Sequence, residues 1–295
     1  MDRKKAGDFP PEVLKLFDGY VHGGITRRDF LDRAAKYAVG GFTANAMLAA
    51  LAPNFAWAQE VKADDPRIRV ERVTYPSPKG SGTMGGYLAR PTKATGKVPA
   101  VIVIHENRGL NPYIEDVARR LAAEGYLAFA PDALYPVGGY PGDEDKARDL
   151  FAKQDGARRT EDLMAAVDCV KARPEFGGKW GAVGFCFGGG IVNQMATRFP
   201  DMAAAAPYYG VQPKAEEAAK IKAAMAIHYA GEDERIDAGW PAFEKALKEA
   251  GVKYQAWIYP NTQHGFHNDT TPRYDEAAAK LSWQRTLALF KAQLV

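Results

Sequence analysis

Short, unbroken apolar runs recur along this chain at 100–105, 126–130, 179–183, 203–209, 223–229 and 254–259. A strand reads this way when both of its faces are buried. Between or after the runs lie stretches with helical spacing, at 112–124, 143–153, 159–172, 191–198, 214–222, 241–250 and 274–294. Parallel strands need long crossovers, so strands alternating with helices predict an α/β fold whose mainly parallel sheet is covered by helices on both faces. Ahead of this pattern, 70–75 and 86–90 flank a Pro/Gly/Ser-rich turn and predict an opening antiparallel hairpin. At 295 residues and 46% hydrophobic content, one large domain after the N-terminal segment accounts for the chain.

One junction in this pattern is chemically distinctive. Gly184-Phe185-Cys186-Phe187-Gly188-Gly189 joins the run at 179–183 to the helical stretch at 191–198. A side chain raised on the tip of so sharp a strand-to-helix turn needs strained dihedrals and neighbours that lack a colliding Cβ, which Gly184 and Gly188 provide. The same geometry presents the serine of the G-x-S-x-G elbow, and here it proposes a thiol nucleophile, Cys186. Cys169, the other cysteine, falls in a helical stretch and reads as core. Two cysteines are too few for a disulfide framework in a chain of this length.

Ligands of such sheets bind beyond the carboxyl ends of the strands. Four reactive groups fall there: Glu106, Cys186, Asp233 and His264. Their order of nucleophile, acid and histidine is that of an α/β-hydrolase triad, and together they make a stronger signal than any one alone. Asp237, four residues after Asp233, is a second candidate for the acid. His264 and His267 have a metal-like spacing, but their loop context and the lack of a nearby Cys/Asp cluster argue against zinc, and no metal or cofactor is expected.

Five segments now carry a resemblance. Ile104-His105-Glu106-Asn107-Arg108-Gly109-Leu110, Ala130-Pro131-Asp132 with Leu134-Tyr135, the Cys186 elbow, Gly231-Glu232-Asp233 and His264-Gly265-Phe266 together resemble the dienelactone hydrolase (carboxymethylenebutenolidase) family, from about residue 70 to the C-terminus. The resemblance implies an α/β-hydrolase fold and a Cys186-Asp233-His264 triad, with Glu106 beside the thiol as the family's active-site glutamate. His264 would take the thiol proton, held in the right tautomer by Asp233. Glu106 would oppose thiolate formation by like-charge repulsion and keep the resting thiol neutral. The backbone N–H groups of Phe187 and Asn107 would form the oxyanion hole. Tyr135, Arg108 and Phe266 are candidate substrate contacts.

The implied activity is cofactor-free hydrolysis of small esters or lactones through a thioester. Acyl transfer to another acceptor and non-catalytic binding on the same fold are the alternatives. In family members that act on an anionic lactone, arginines hold the substrate carboxylate. Their positions here correspond to Val137 and Asn268, so a preference for neutral or larger apolar substrates is expected unless Arg108 restores the charge.

The first 58 residues read differently. Thr26-Arg27-Arg28-Asp29-Phe30-Leu31, a weakly apolar Ala/Gly-rich run at 34–52 and Ala56-Trp57-Ala58 resemble a twin-arginine export signal with its cleavage site. This predicts a periplasmic or secreted protein, with the hydrolase domain at 59–295. The competing reading is a helical segment that stays with a cytoplasmic protein. Nothing else approaches the roughly 18 consecutive apolar residues of a spanning helix, so no stable membrane insertion is expected. Lys plus Arg at 39 against Asp plus Glu at 36 gives a formal charge of +3, too small a field to suggest a nucleic-acid partner. A small molecule is the expected partner.

Overall fold

A computed structural model of the chain describes residues 4–94 and 96–295. The apolar runs form one eight-stranded sheet: β1 (Ile68–Ser77), β2 (Gly82–Pro91), β3 (Val98–Ile104), β4 (Leu127–Pro131), β5 (Phe176–Phe185), β6 (Ala204–Tyr208), β7 (Ala224–Ala230) and β8 (Tyr254–Tyr259). Their order across the sheet is β1-β2-β4-β3-β5-β6-β7-β8. The β1–β2 and β2–β4 pairs are antiparallel, and all the others are parallel. This is the α/β-hydrolase arrangement expected from the strand and helix rhythm.

Three N-terminal helices come first: α1 (Pro11–Val21), α2 (Arg27–Ala34) and α3 (Ala44–Leu51). The sheet is then covered by α4 (Pro112–Ala123), α5 (Glu144–Lys153), α6 (Gly156–Met164), α7 (Ala166–Lys171), α8 (Phe187–Arg198), α9 (Glu234–Asp237), α10 (Trp240–Glu249) and α11 (Glu276–Leu294). The helical stretch expected at 214–222 is a 3-10 turn over Ala215–Lys220. Side chains alternate across each buried strand. On β3, Val101 and Val103 meet Leu121 of α4 and Phe290 of α11 in one core, whereas Ile102 and Ile104 meet Val167 of α7 and Val192 of α8 in the other. A strand apolar on both faces is thus used on both.

A third core is built by residues between Ala6 and Leu51, while Phe55 and Ala58 pack in the core shared by α4 and α11. Val13, Leu14 and Phe17 of α1 pack with Phe30 of α2 and with Met47, Leu48 and Leu51 of α3. The arginine pair sits at the start of α2, behind a reciprocal cap in which the Asp29 N–H donates to Thr26 Oγ1 and the Thr26 N–H to Asp29 Oδ2. Arg27 and Arg28 are exposed. The chain that follows is tied to the hydrolase domain: the carboxylate of Asp116, fully buried on α4, accepts from the N–H groups of Glu60 and Val61 and from Arg120. No helix of the described residues is long and apolar enough to cross a membrane.

Candidate active site

Cys186 occupies the tip between β5 and α8 at φ 55°, ψ −115°, a conformation that a residue with a Cβ adopts only under constraint. The constraint comes from close backbone approach on both sides. A Cβ on Gly184 would lie 2.2 Å from the Gly188 carbonyl oxygen, and one on Gly188 would lie 2.2 Å from that of Ile104. Glycine is therefore required at both flanks by space. The turn is fixed further by the Cys186 N–H, which donates to the Tyr208 carbonyl. The thiol is left 8% exposed at the floor of a cleft.

The expected acid and histidine are there. His264 Nδ1 lies 2.5 Å from Asp233 Oδ2, and both residues are buried. Asp237 is not the partner; burial and the neighbouring Asp233 charge raise its carboxyl to about 6. His264 Nε2 is buried without a hydrogen-bond partner among the described residues and belongs to the cluster around the thiol. His267 turns the other way, into the core, where it meets the hydroxyl of Tyr113 at 2.7 Å. The two histidines do not share a site.

What the sequence reading missed is a second histidine. His22, just past the end of α1, places Nε2 3.4 Å from Cys186 Sγ. Its Nδ1 lies 2.8 Å from the Asp18 carbonyl oxygen and 3.1 Å from Asp18 Oδ1. Both are acceptors, so the ring carries its hydrogen on Nδ1 and turns Nε2 toward the sulfur. The His22 and His264 rings meet edge to face at 4.7 Å between centroids. The ligand atoms of His22, Cys186 and His264 all lie within 4.8 Å of one another, a set that could also accept a thiophilic divalent ion. The usable signal was the spacing of Val13, Leu14, Phe17 and Tyr20, which marks an amphipathic helix ending at His22.

Two imidazoles change the electrostatics expected of the thiol. Burial alone would raise its pKa, but His264 and His22 outweigh that and hold it well below the ordinary thiol range. His264 is raised against the opposing effect of burial by the sulfur charge and by Asp233. Glu106 is the group driven toward the neutral form, first by burial and then by the Cys186 charge. The upward push on Glu106 by the sulfur charge is the like-charge repulsion expected between this carboxyl and the thiolate. Asn268 holds this carboxyl by donating to Glu106 Oε2 at 2.9 Å.

The three candidate substrate contacts fare unequally. Arg108 does line the cleft, but its guanidinium is bound to Glu144 and to the Val21 carbonyl. Tyr135 does not line it: Asp132 Oδ1 accepts from the Leu110 and Leu134 N–H groups, and the turn so formed sends the Tyr135 ring outward against Gly85. Phe266 is fully buried, packed on Tyr208, Tyr209 and Tyr259 beneath the histidine loop. It is core. Val137 is exposed and lies outside the cleft. The cation that sequence reasoning missed is Arg273. It lines the cleft at 8% exposure, with Nε and Nη1 lacking hydrogen-bond partners among the described residues and the Asp18 carboxylate only at 4.0 Å.

The thiol opens onto two cavities. One of about 370 Å³ is lined by Phe17, Leu48, Glu106, Arg108 and Arg273. The other, of about 220 Å³, is lined by Phe187, Ile191, Val211, Arg235 and Ile236. Among the described residues, only His22, Asn107, Cys186 and His264 face both.

Comparisons with known proteins agree with this fold. The model of the dienelactone hydrolase family matches residues 84–294, and a YqhI-like family model matches residues 1–36. A Synechocystis protein named "Putative carboxymethylenebutenolidase" is 32% identical over 246 residues, 77% of this chain and 98% of that protein. An Escherichia coli K12 protein named "Putative hydrolase fragment YghX" is 58% identical over 113 residues, 38% of this chain and 97% of that protein. Among solved structures, a dienelactone hydrolase-like promiscuous phosphotriesterase from metagenomic libraries superposes with a TM-score of 0.67 at 25% identity, covering 78% of this chain and all of that one.

Proposed function

Because the chain belongs to the dienelactone hydrolase family, we propose that it hydrolyses small esters or lactones through a thioester on Cys186. The observation that carries this reading is the thiol at the elbow tip, within reach of an imidazole that a buried carboxylate holds. An imidazole beside the thiol takes its proton, and the sulfur attacks the substrate carbonyl. Charge then develops on the carbonyl oxygen. The Phe187 N–H, in the first turn of α8, and the Asn107 N–H after β3, both from residues that line the smaller cavity, would receive it. Water, deprotonated by His264, next cleaves the thioester. Incubation with an ester that acylates rapidly should give an intact-mass increase equal to the acyl group, mapped to the peptide that contains Cys186. A steady state with turnover and no adduct on any residue, even on rapid quenching, would remove the thioester from the mechanism.

Substrate charge follows from Arg273. A buried guanidinium with two unpaired donors favours an anion in the larger cavity, and one charge-assisted hydrogen bond contributes about 1.5–3 kcal/mol. We therefore expect kcat/KM to favour an ester whose acyl part carries a carboxylate over a neutral one of the same size. Arg273→Met should reduce that preference by about 10- to 150-fold. A variant that treats the pair as the wild type does would assign Arg273 to packing against Phe17. This revises the preference for neutral substrates expected from Val137 and Asn268.

A further inference from the structure

A thiol hydrolase must deliver a proton to the departing alcohol, and His22 occupies the position from which that proton would come. The cavity of about 370 Å³ and that of about 220 Å³ meet only where His22, Asn107, Cys186 and His264 stand. An ester bound with its carbonyl at Cys186 divides between them, and its bridging oxygen lies at the junction. His22 Nε2 is there, 3.4 Å from the sulfur; Arg235 Nη2, at 3.3 Å, donates to this nitrogen while it is unprotonated and releases it when the ring takes up the thiol's proton. Asp18 holds the other nitrogen, as Asp233 holds that of His264. The thiol is therefore flanked by two aspartate-backed imidazoles approaching from different parts of the chain.

We infer that His22 is a further catalytic residue, the general acid for the leaving alcohol, and that residues 4–58 are part of the catalytic unit. The inference rests on the thiol mechanism proposed above. In acylation, the proton given up by the thiol resides on His22 Nε2. The Cys186 sulfur pair forms the S–C bond, and the carbonyl π pair moves to oxygen. When that pair returns, the C–O bond breaks and the leaving oxygen takes the His22 proton as it departs. Both histidines are then neutral. In deacylation, His264 removes one proton from water while the oxygen attacks the thioester carbon. The S–C bond breaks, the thiolate is restored, and the proton on His264 passes by way of the Cys186 sulfur, which both imidazoles adjoin, to His22 Nε2, returning the site to its starting state. The sum is one ester and one water converted to one acid and one alcohol.

One histidine can in principle perform both transfers. Two allow each ring to keep a fixed orientation, His264 toward the water and His22 toward the leaving group. The contacts around His22 support this placement. The Asn107 side-chain amide and Arg108 Nη2 both donate to the Val21 carbonyl, at 2.9 and 3.2 Å, which anchors the end of α1 on the loop after β3. The Asn54 N–H donates to the Thr270 carbonyl at 2.8 Å on the opposite wall. A segment removed by cleavage after Ala58 would take His22 and Asp18 with it, so on this inference full activity on alkyl esters requires residues 4–58.

The test is a leaving-group comparison in the full-length protein. Two esters of one acyl group are used, an aryl ester whose phenolate departs without a proton and an alkyl ester whose alkoxide does not. His22→Gln should lose more kcat/KM on the alkyl ester than on the aryl ester, by a further factor of about 10². Asp18→Asn, which keeps the ring and weakens its support, should show the same bias at about 10-fold. Equal losses on both esters in these variants, or no loss on the alkyl ester, would overturn the inference and leave His22 as a wall of the cleft. Failure of the underlying mechanism is read separately, by turnover of the aryl ester in Cys186→Ala.

Discussion

Cys186→Ala is expected to lose at least about 10⁴-fold in turnover of any ester the wild type hydrolyses, with no acyl adduct and little change in melting temperature. The size follows from the role: when nucleophile and base act as a unit, removing either costs nearly all of the covalent route, and binding with the oxyanion hole leaves only a residue of rate over water. The small effect on stability follows from the site. Alanine keeps the Cβ, so the strain at φ 55° is the same in both proteins, and only the sulfur of a buried residue is lost. Loss of that thiolate also leaves Glu106 without the charge that opposes its ionisation, so its carboxyl should ionise at lower pH in the variant. Turnover by Cys186→Ala within tenfold of the wild type would assign the chemistry to another group. Steady-state rates beside a thermal melt decide between the two.

The parts of this protein legible in its sequence are those governed by local rules. Buried parallel strands are apolar on both faces, so the runs beginning near Ala100, Tyr126 and Ala203 announced β3, β4 and β6 to within a few residues. The elbow was legible because Gly184 and Gly188 answer a steric demand that no other residue meets. Asp233 and His264 follow strand ends, where topology concentrates chemistry. The misses share a different cause. Phe266 and Tyr135 are decided by which way a turn throws a side chain, and neighbouring turn residues with similar composition point in opposite directions. Arg273 and His22 reach the thiol through packing between segments far apart in the chain. His22 was further obscured because Arg27-Arg28 with an Ala-rich run fits both an export signal and the helical unit with its own core.

The second large effect is expected at His264. His264→Gln keeps a side chain able to donate to Asp233 and so avoids stranding a buried carboxylate, which would destabilise the fold by about 3–5 kcal/mol. Turnover should still fall by about 10²- to 10⁴-fold, the usual worth of a positioned general base. The thiolate provides a readout independent of turnover. In the wild type, His264 and His22 hold the Cys186 pKa well below the ordinary thiol value of about 8.5, so thiolate is present at any pH above that depressed value. Alkylation by iodoacetamide should then remain fast at neutral pH and fail only as pH falls through it. Removing His264 takes away one of the two imidazoles that favour the charged sulfur while burial still opposes it, so the folded pKa rises and the alkylation curve moves to higher pH. The move should be incomplete in His264→Gln, because His22 still stands 3.4 Å from the sulfur, and larger when His22→Gln is added. An alkylation curve that does not move in the single variant would mean that His22 alone sustains the thiolate. Loss of turnover without such a movement would confine His264 to the deprotonation of water.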